Sequence, residues 1–329
     1  MRKKWLIYTE NALCNTLSRQ YLSMPNMHSK ERIVLASHKK RIDYTGYLYI
    51  LPAFLFILAF SVIPIIMTSV YSLNKFNIIQ PMKYIGLNNY GKLFRDPFVT
   101  ASIRNTIIYV AIVVPLQTIL ALLIAALITS RRKSNSWTGF VKSSLFIPVI
   151  SSMVLIGTLW KMMYNPQVGF INQFLSLFEI PPVNWLGSKN LALFSVCIVS
   201  IWKDVGYFLV IYIAAIMDIP ITLYEAGRVD GASWIKQFIY ITLPMLKPIT
   251  FLVVTLGTIW SFQVFDLVYI MTGGGPGTAT VTLVSTIYNV AFREYSMGYA
   301  CSIAMFLFLI IIVISLVQKL TLSDGRKEM

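Results

Sequence analysis

Two groups of residues in this sequence have types and spacings that could do chemistry. The first places charge inside apolar runs: Trp202, Lys203, Asp204 and Tyr207 in one run, Trp260, Gln263 and Asp266 in another. Charged side chains at membrane depth are costly and face a bundle interior or a water-filled cavity. Aromatic faces beside hydrogen-bonding groups suit a sugar, which is apolar on one face and hydroxylated around its rim. This group is therefore a candidate solute pathway. Lys203 and Asp204 are adjacent, so on a helix they diverge by about 100°, and the spacing predicts that they do not share one cavity equally. Pairing with a neighbouring helix is their other use. Trp160 and Lys161, at the end of an earlier run, fit interfacial anchors.

The second group lies in the polar stretch 218–244, between two apolar runs, and its chemistry is mechanical. Pro220 suits the first turn of a helix, and Asp218 ahead of it is a candidate cap. Gly231 permits a turn, Asp230 is a candidate cap for a second helix, and Leu243-Pro244 marks that helix's end. The segment reads as helix, glycine turn and helix, polar enough to lie outside lipid. Such a helix can fit a groove on another chain and move with it as a rigid body. Ala226 and Ala232 are small enough for close approach. Phe238 and Ile241 are placed to anchor the second helix on the membrane core.

Composition bounds what surrounds these groups. Of 329 residues, 57% are hydrophobic and 12% charged, whereas a soluble domain carries about 25% charged residues. The chain reads as an all-α polytopic membrane protein. Its net charge of +15 invites a nucleic-acid partner, but the charges flank apolar spans and form no aromatic-laced basic face. Cys14, Cys197 and Cys301 lie far apart, and the histidines, His28 and His38, precede the first span. Neither a metal-ligand spacing nor a phosphate-binding glycine loop is present. The expectation is a chain that is not an enzyme and binds no cofactor.

Six apolar segments are long enough to cross a bilayer: 44–73, 104–129, 141–163, 191–217, 245–271 and 297–318. They define a membrane domain, 44–319, between a basic tail, 1–43, and a short C-terminal tail, 320–329. Lysine and arginine accumulate in cytoplasmic segments. With the N-terminus inside, the inner segments hold nine in the tail, four in 130–142, three in 218–247 and three at the C-terminus, nineteen in all. The outer segments hold eight. Both termini and the 218–244 loop are thereby predicted to be cytoplasmic, in a multi-pass protein of the cell membrane. Residues 279–295 read as an amphipathic helix at the outer surface.

The order of residues in the second group also resembles a known motif. Glu225-Ala226, then Gly231, then Ile241, Leu243 and Pro244 resemble the EAA loop of ABC importer permeases; Gly227 departs from it, where the family usually has alanine. The stretch 84–98, with Gly86-Leu87, Asn89-Tyr90 and Asp96-Pro97, resembles a segment after the first span in carbohydrate-type permeases, as does Thr272-Gly273-Gly274-Gly275-Pro276 after the fifth. The resemblance covers about 45–318 and implies a six-helix importer core with a cytoplasmic coupling helix. It implies that Glu225 meets a basic residue on a separate ATPase subunit, which carries ATP and Mg. It further implies two ATPase subunits, a second homologous permease, an extracytoplasmic solute-binding protein and a carbohydrate substrate, with no nucleic acid. The competing expectation is an ion-coupled secondary transporter, which would favour internal repeats and midplane ionisable residues.

Overall fold

A computed structural model describes residues 45–130 and 136–322. The tail 1–43 and the last seven residues of the C-terminal tail lie outside them. Contacts divide the chain into 1–63 and 64–329. In the first unit, helix α1 (Thr45–Ile57) runs into a π turn, Leu58–Val62. Helix α2 (Ile63–Ser72) follows and leads to a short antiparallel pair, β1 (Asn74–Lys75) with β2 (Lys83–Tyr84), in register Asn74 to Tyr84.

The rest of the second unit is helical: α3 (Asn88–Leu93), α4 (Pro97–Ser130), α5 (Ser136–Ile150), α6 (Met153–Met163), α7 (Phe170–Ser176) and α8 (Ala192–Met217). Beyond α8 come α9 (Ile221–Val229), α10 (Trp234–Gln237), a second π turn (Phe238–Thr242), α11 (Leu243–Met245) and α12 (Lys247–Phe262). The chain closes with α13 (Asp266–Met271), α14 (Leu283–Phe292) and α15 (Met297–Leu322).

Among the described residues, four helices are long and apolar enough to cross a membrane: Tyr47–Ser72, Pro97–Thr129, Ala192–Met217 and Met297–Thr321. The other two expected spans are broken. The third bends by 104° between α5 and α6, where Pro148 lies in the last turn of α5 and Ser152 is extended. The fifth breaks at 263–265, and at its start the segment Trp234–Met245 meets Lys247–Phe262 at a bend of 69°. An apolar count registers composition and is blind to direction, so both runs read as continuous. The last helix also continues to Leu322, past the expected boundary at 319.

Helix α8 lies along α4 and is the most enclosed of the long helices. Val196, Phe208, Leu209 and Tyr212 of α8 meet Tyr109, Val113 and Ala121 of α4 in one core. Burial of such side chains stabilises by about 1.5–3 kcal/mol each in water, but in lipid the driving force is close packing and internal hydrogen bonding. Close packing shows at Gly206, where a Cβ would collide with the Leu145 carbonyl oxygen of α5. A second core joins α14, α15 and the N-terminal part of α4 through Leu283, Val290, Ile303 and Val99. Within the expected amphipathic stretch 279–295 the helix is Leu283–Phe292, and one of its faces is packed into this core.

Hydrogen bonds fasten the connections after α2 and before α14. Asn89 donates its amide to the Ser72 and Asn74 carbonyls at 2.8 and 3.0 Å, and Tyr90 bonds Ser72 at 2.8 Å. The Tyr299 hydroxyl donates to Asp96 at 2.9 Å. The polar residues of the 84–98 pattern thus clamp the loop after α2. Asn105 of α4 donates to the Thr278 and Val281 carbonyls at 2.7 and 3.0 Å, holding the glycine-rich connection before α14.

Candidate functional site

The polar stretch folds into a helical hairpin. Its first helix, α9, ends in a hydrogen-bonded reversal: Ala232 N–H donates to the Gly227 carbonyl at 2.8 Å and Gly231 N–H to Arg228 at 3.1 Å. This is the double bond of a Schellman cap, which needs a left-handed residue just past the helix. Gly231 supplies it, with φ of +74°. Two expected caps are corrected. Asp218 closes α8, and Asp230 closes α9. The second helix is capped by Ser233, whose hydroxyl accepts from Lys236 N–H at 3.5 Å.

The second arm does not stop at Leu243-Pro244. It runs from Trp234 to Met245 and turns at buried Leu246. A proline clashes with the carbonyl four residues earlier in a regular helix. Here that carbonyl belongs to Tyr240, inside the π turn, where the wider backbone accommodates the ring. The hairpin is rigid across its two arms. Tyr224 bonds Thr242 at 2.9 Å, and Gln237 donates to the Ala232 carbonyl at 3.0 Å. A Cβ on Gly227 would lie 3.2 Å from Ile241 Cδ1, so glycine gives Ile241 room to seat against α9. Phe238 and Ile241 reach the main core, as expected.

The inner faces of the two arms enclose a shallow hollow lined by Leu223, Ala226, Gly227 and Asp230 on one side and Ala232, Gln237 and Ile241 on the other. Glu225 does not line it and is exposed. Four residues on, Val229 is 88% exposed, so a carboxylate and a large apolar group share the outward face. Sequence reasoning missed Val229, although its i+4 spacing from Glu225 was the available signal.

The second site is a cavity of about 300 Å³ in the membrane domain. Helix α8 contributes Ser200, Lys203 and Asp204; α12 contributes Trp260 and Ser261; the break after α12 contributes Gln263, and α13 contributes Asp266. Tyr109 of α4 and Met153 of α6 complete the wall. Contrary to the helical-angle expectation, Lys203 and Asp204 both face this cavity. Lys203 Nζ lies 3.4 Å from Asp204 Oδ1, and Ser200 donates to Asp204 Oδ2 at 3.4 Å. The lysine stem is long and flexible enough to fold back onto its neighbour. An adjacent opposite charge is the cheapest partner for a largely buried ammonium.

The break at 263–265 brings Gln263 and Asp266 to the cavity, because α12 ends at Phe262. Two expected members stand outside the wall. Trp202 is 39% exposed and packs on Trp160, with ring centroids 5.4 Å apart. Tyr207 backs Trp260 at 4.9 Å and so positions that ring. Trp160 is likewise packed among rings, and the Lys161 ammonium donates to the Ile270 carbonyl at 3.3 Å, joining α6 to α13. Ser200 was discoverable as the residue one turn before Asp204. Tyr109, in an apolar helix, gave no signal.

Residues 94–321 match the family described as binding-protein-dependent transport system inner membrane component. The chain is 38% identical over 285 residues to a probable ABC transporter permease protein, YurN, of Bacillus subtilis, covering 86% of this chain and 97% of that protein. It is 35% identical to the trehalose/maltose transport system permease protein MalF of Thermococcus litoralis, covering 82% and 90%. It is 32% identical to the lactose transport system permease protein LacF of Rhizobium radiobacter, covering 86% and 95%. A solved bacterial ABC transporter involved in import of the acidic polysaccharide alginate contains a chain with the same fold. Its TM-score is 0.76 at 23% identity, over 87% of this chain and 97% of that one.

Proposed function

The chain belongs to the inner membrane components of binding-protein-dependent transport systems, and on that premise we propose that it moves a carbohydrate through the cavity beside Trp260 while a separate ATPase grips the α9–α10 hairpin. It is a permease subunit of an ABC importer. The trehalose/maltose and lactose permeases among its relatives support a sugar substrate. The same relatives displace the ion-coupled alternative, whose only support was the Lys203–Asp204 pair.

The observation that carries the coupling role is the outward face of α9. Glu225 is exposed on a helix whose end is fixed by the Gly231 cap and whose flank is tied to Thr242. An interfacial charge pair fixes register and orientation, and Val229 beside it supplies apolar contact. The lysine and arginine bias supports a cytoplasmic position for this face. The assembly we propose has two ATPase subunits carrying ATP and Mg, a second homologous permease and an extracytoplasmic solute-binding protein, all held in the cell membrane.

Nucleotide shifts the permease between inward-open and outward-open states only through differential affinity for the two. Taking a 1:99 population to 99:1 needs about 5.5 kcal/mol, which the hairpin must transmit without melting. The test is Glu225→Arg, and separately deletion of Gly231, in cells expressing the whole transporter. Sugar uptake should fall at least tenfold and the ATPase should no longer co-purify. Retention of both properties in both variants would refute the coupling role.

A further inference from the structure

The charge arrangement in the cavity carries a further inference, which rests on the carbohydrate reading. Among the described residues one cation faces the cavity, Lys203, and it is already neutralised: its ammonium lies 3.4 Å from Asp204, and it is largely buried. Asp204 is held in place by Ser200 at 3.4 Å. Across the cavity, exposed Asp266 adds a second carboxylate, with no hydrogen-bond or ion-pair partner among the described residues. The wall provided by this chain therefore has a net negative charge, and its one ammonium is engaged. The remaining groups, the Trp260 face and the Gln263 amide, recognise apolar ring faces and hydroxyls without needing charge.

We propose that this permease selects neutral over acidic saccharides, and that Asp204 sets the preference by neutralising Lys203. A uronate entering the cavity meets the Asp266 carboxylate and finds no available cation. A neutral sugar of the same size loses nothing to either carboxylate. Like-charge juxtaposition is an effective way to reject a wrong ligand.

The experiment uses the assembled transporter in proteoliposomes. Equilibrium binding is measured for three neutral probes, maltotriose, lactose and arabinotriose, and for one acidic probe, trigalacturonate. Wild type should bind at least one neutral probe more tightly than trigalacturonate. Asp204→Asn keeps the side-chain shape and releases Lys203. It should tighten trigalacturonate binding relative to the neutral probes about tenfold, the size of one charge contact partly screened by water. The double variant Lys203→Met, Asp204→Asn should lose that gain. An unchanged acidic-to-neutral ratio in Asp204→Asn, or a gain that survives in the double variant, would overturn the proposal.

If Asp204→Asn does not yield an assembled transporter, Asp266→Asn tests the same field from an exposed position. It should raise trigalacturonate binding about threefold, a share of the contact at greater distance, and no rise would count against the proposal. Failure of the carbohydrate reading has a different signature, because neither wild type nor any variant would then bind any of the four sugars.

Discussion

The coupling hairpin and the membrane cavity both depend on a helix that stops, but they use the stop in opposite ways. In the hairpin the stop is polar and capped, and it leaves the face of α9 that carries Glu225 and Val229 exposed. In the cavity the stop after Phe262 lies beside other helices and turns Gln263 and Asp266 inward, beside Trp260 and the Lys203–Asp204 pair. The first kind of site tolerates local strain because it is exposed. The second is confined by backbone on several sides. Two glycines, one near each site, measure that difference.

The largest effect is expected at Gly206, on the helix that carries Lys203 and Asp204. An alanine Cβ there would meet the Leu145 carbonyl oxygen and crowd Val149. Overpacking costs about 1–3 kcal/mol where side chains can yield, and a helix carbonyl yields less. Gly206→Ala should lower the thermal midpoint and the yield of the purified transporter, with sugar binding lost alongside ATPase coupling. A normal midpoint would mean that α5 and α8 are not in backbone contact.

The smaller effect belongs to Gly231. A Cβ there meets nothing within 4 Å, so only its φ of +74° opposes substitution. Left-handed backbone costs an alanine about 1 kcal/mol. Gly231→Ala should leave the thermal midpoint and sugar binding close to wild type, while uptake falls about fivefold, the equivalent of that strain. Equal damage from both substitutions would erase the distinction between the two regions.

The same distinction explains what the sequence disclosed. Pro220, Gly231 and the small residues around them are punctuation, so the helix–turn–helix of the hairpin was readable in order. Its internal caps were not, since Asp218, Asp230 and Ser233 are all competent caps and only the helix boundaries decide among them. Pro244 misled because the π turn before it is set by backbone packing and has no sequence signature. In the membrane domain, apolar length located four uninterrupted helices and concealed the breaks at 151–152 and 263–265. The cavity was half visible. Its charged and aromatic members stand out in an apolar run, whereas Tyr109 enters only because α4 lies along α8. The pairing of Lys203 with Asp204 follows from side-chain flexibility, which a fixed angle per residue does not represent.

The claim on which the account rests is that the outward face of α9 is cytoplasmic and covered by an ATPase. A single cysteine at the exposed position 229, Val229→Cys, placed in a chain whose three native cysteines are replaced, tests this with a membrane-impermeant maleimide. The cysteine should stay unlabelled in intact cells, react in inverted vesicles stripped of ATPase, and become protected when the ATPase is restored. Labelling from outside intact cells, or labelling in inverted vesicles that the ATPase does not diminish, would contradict it.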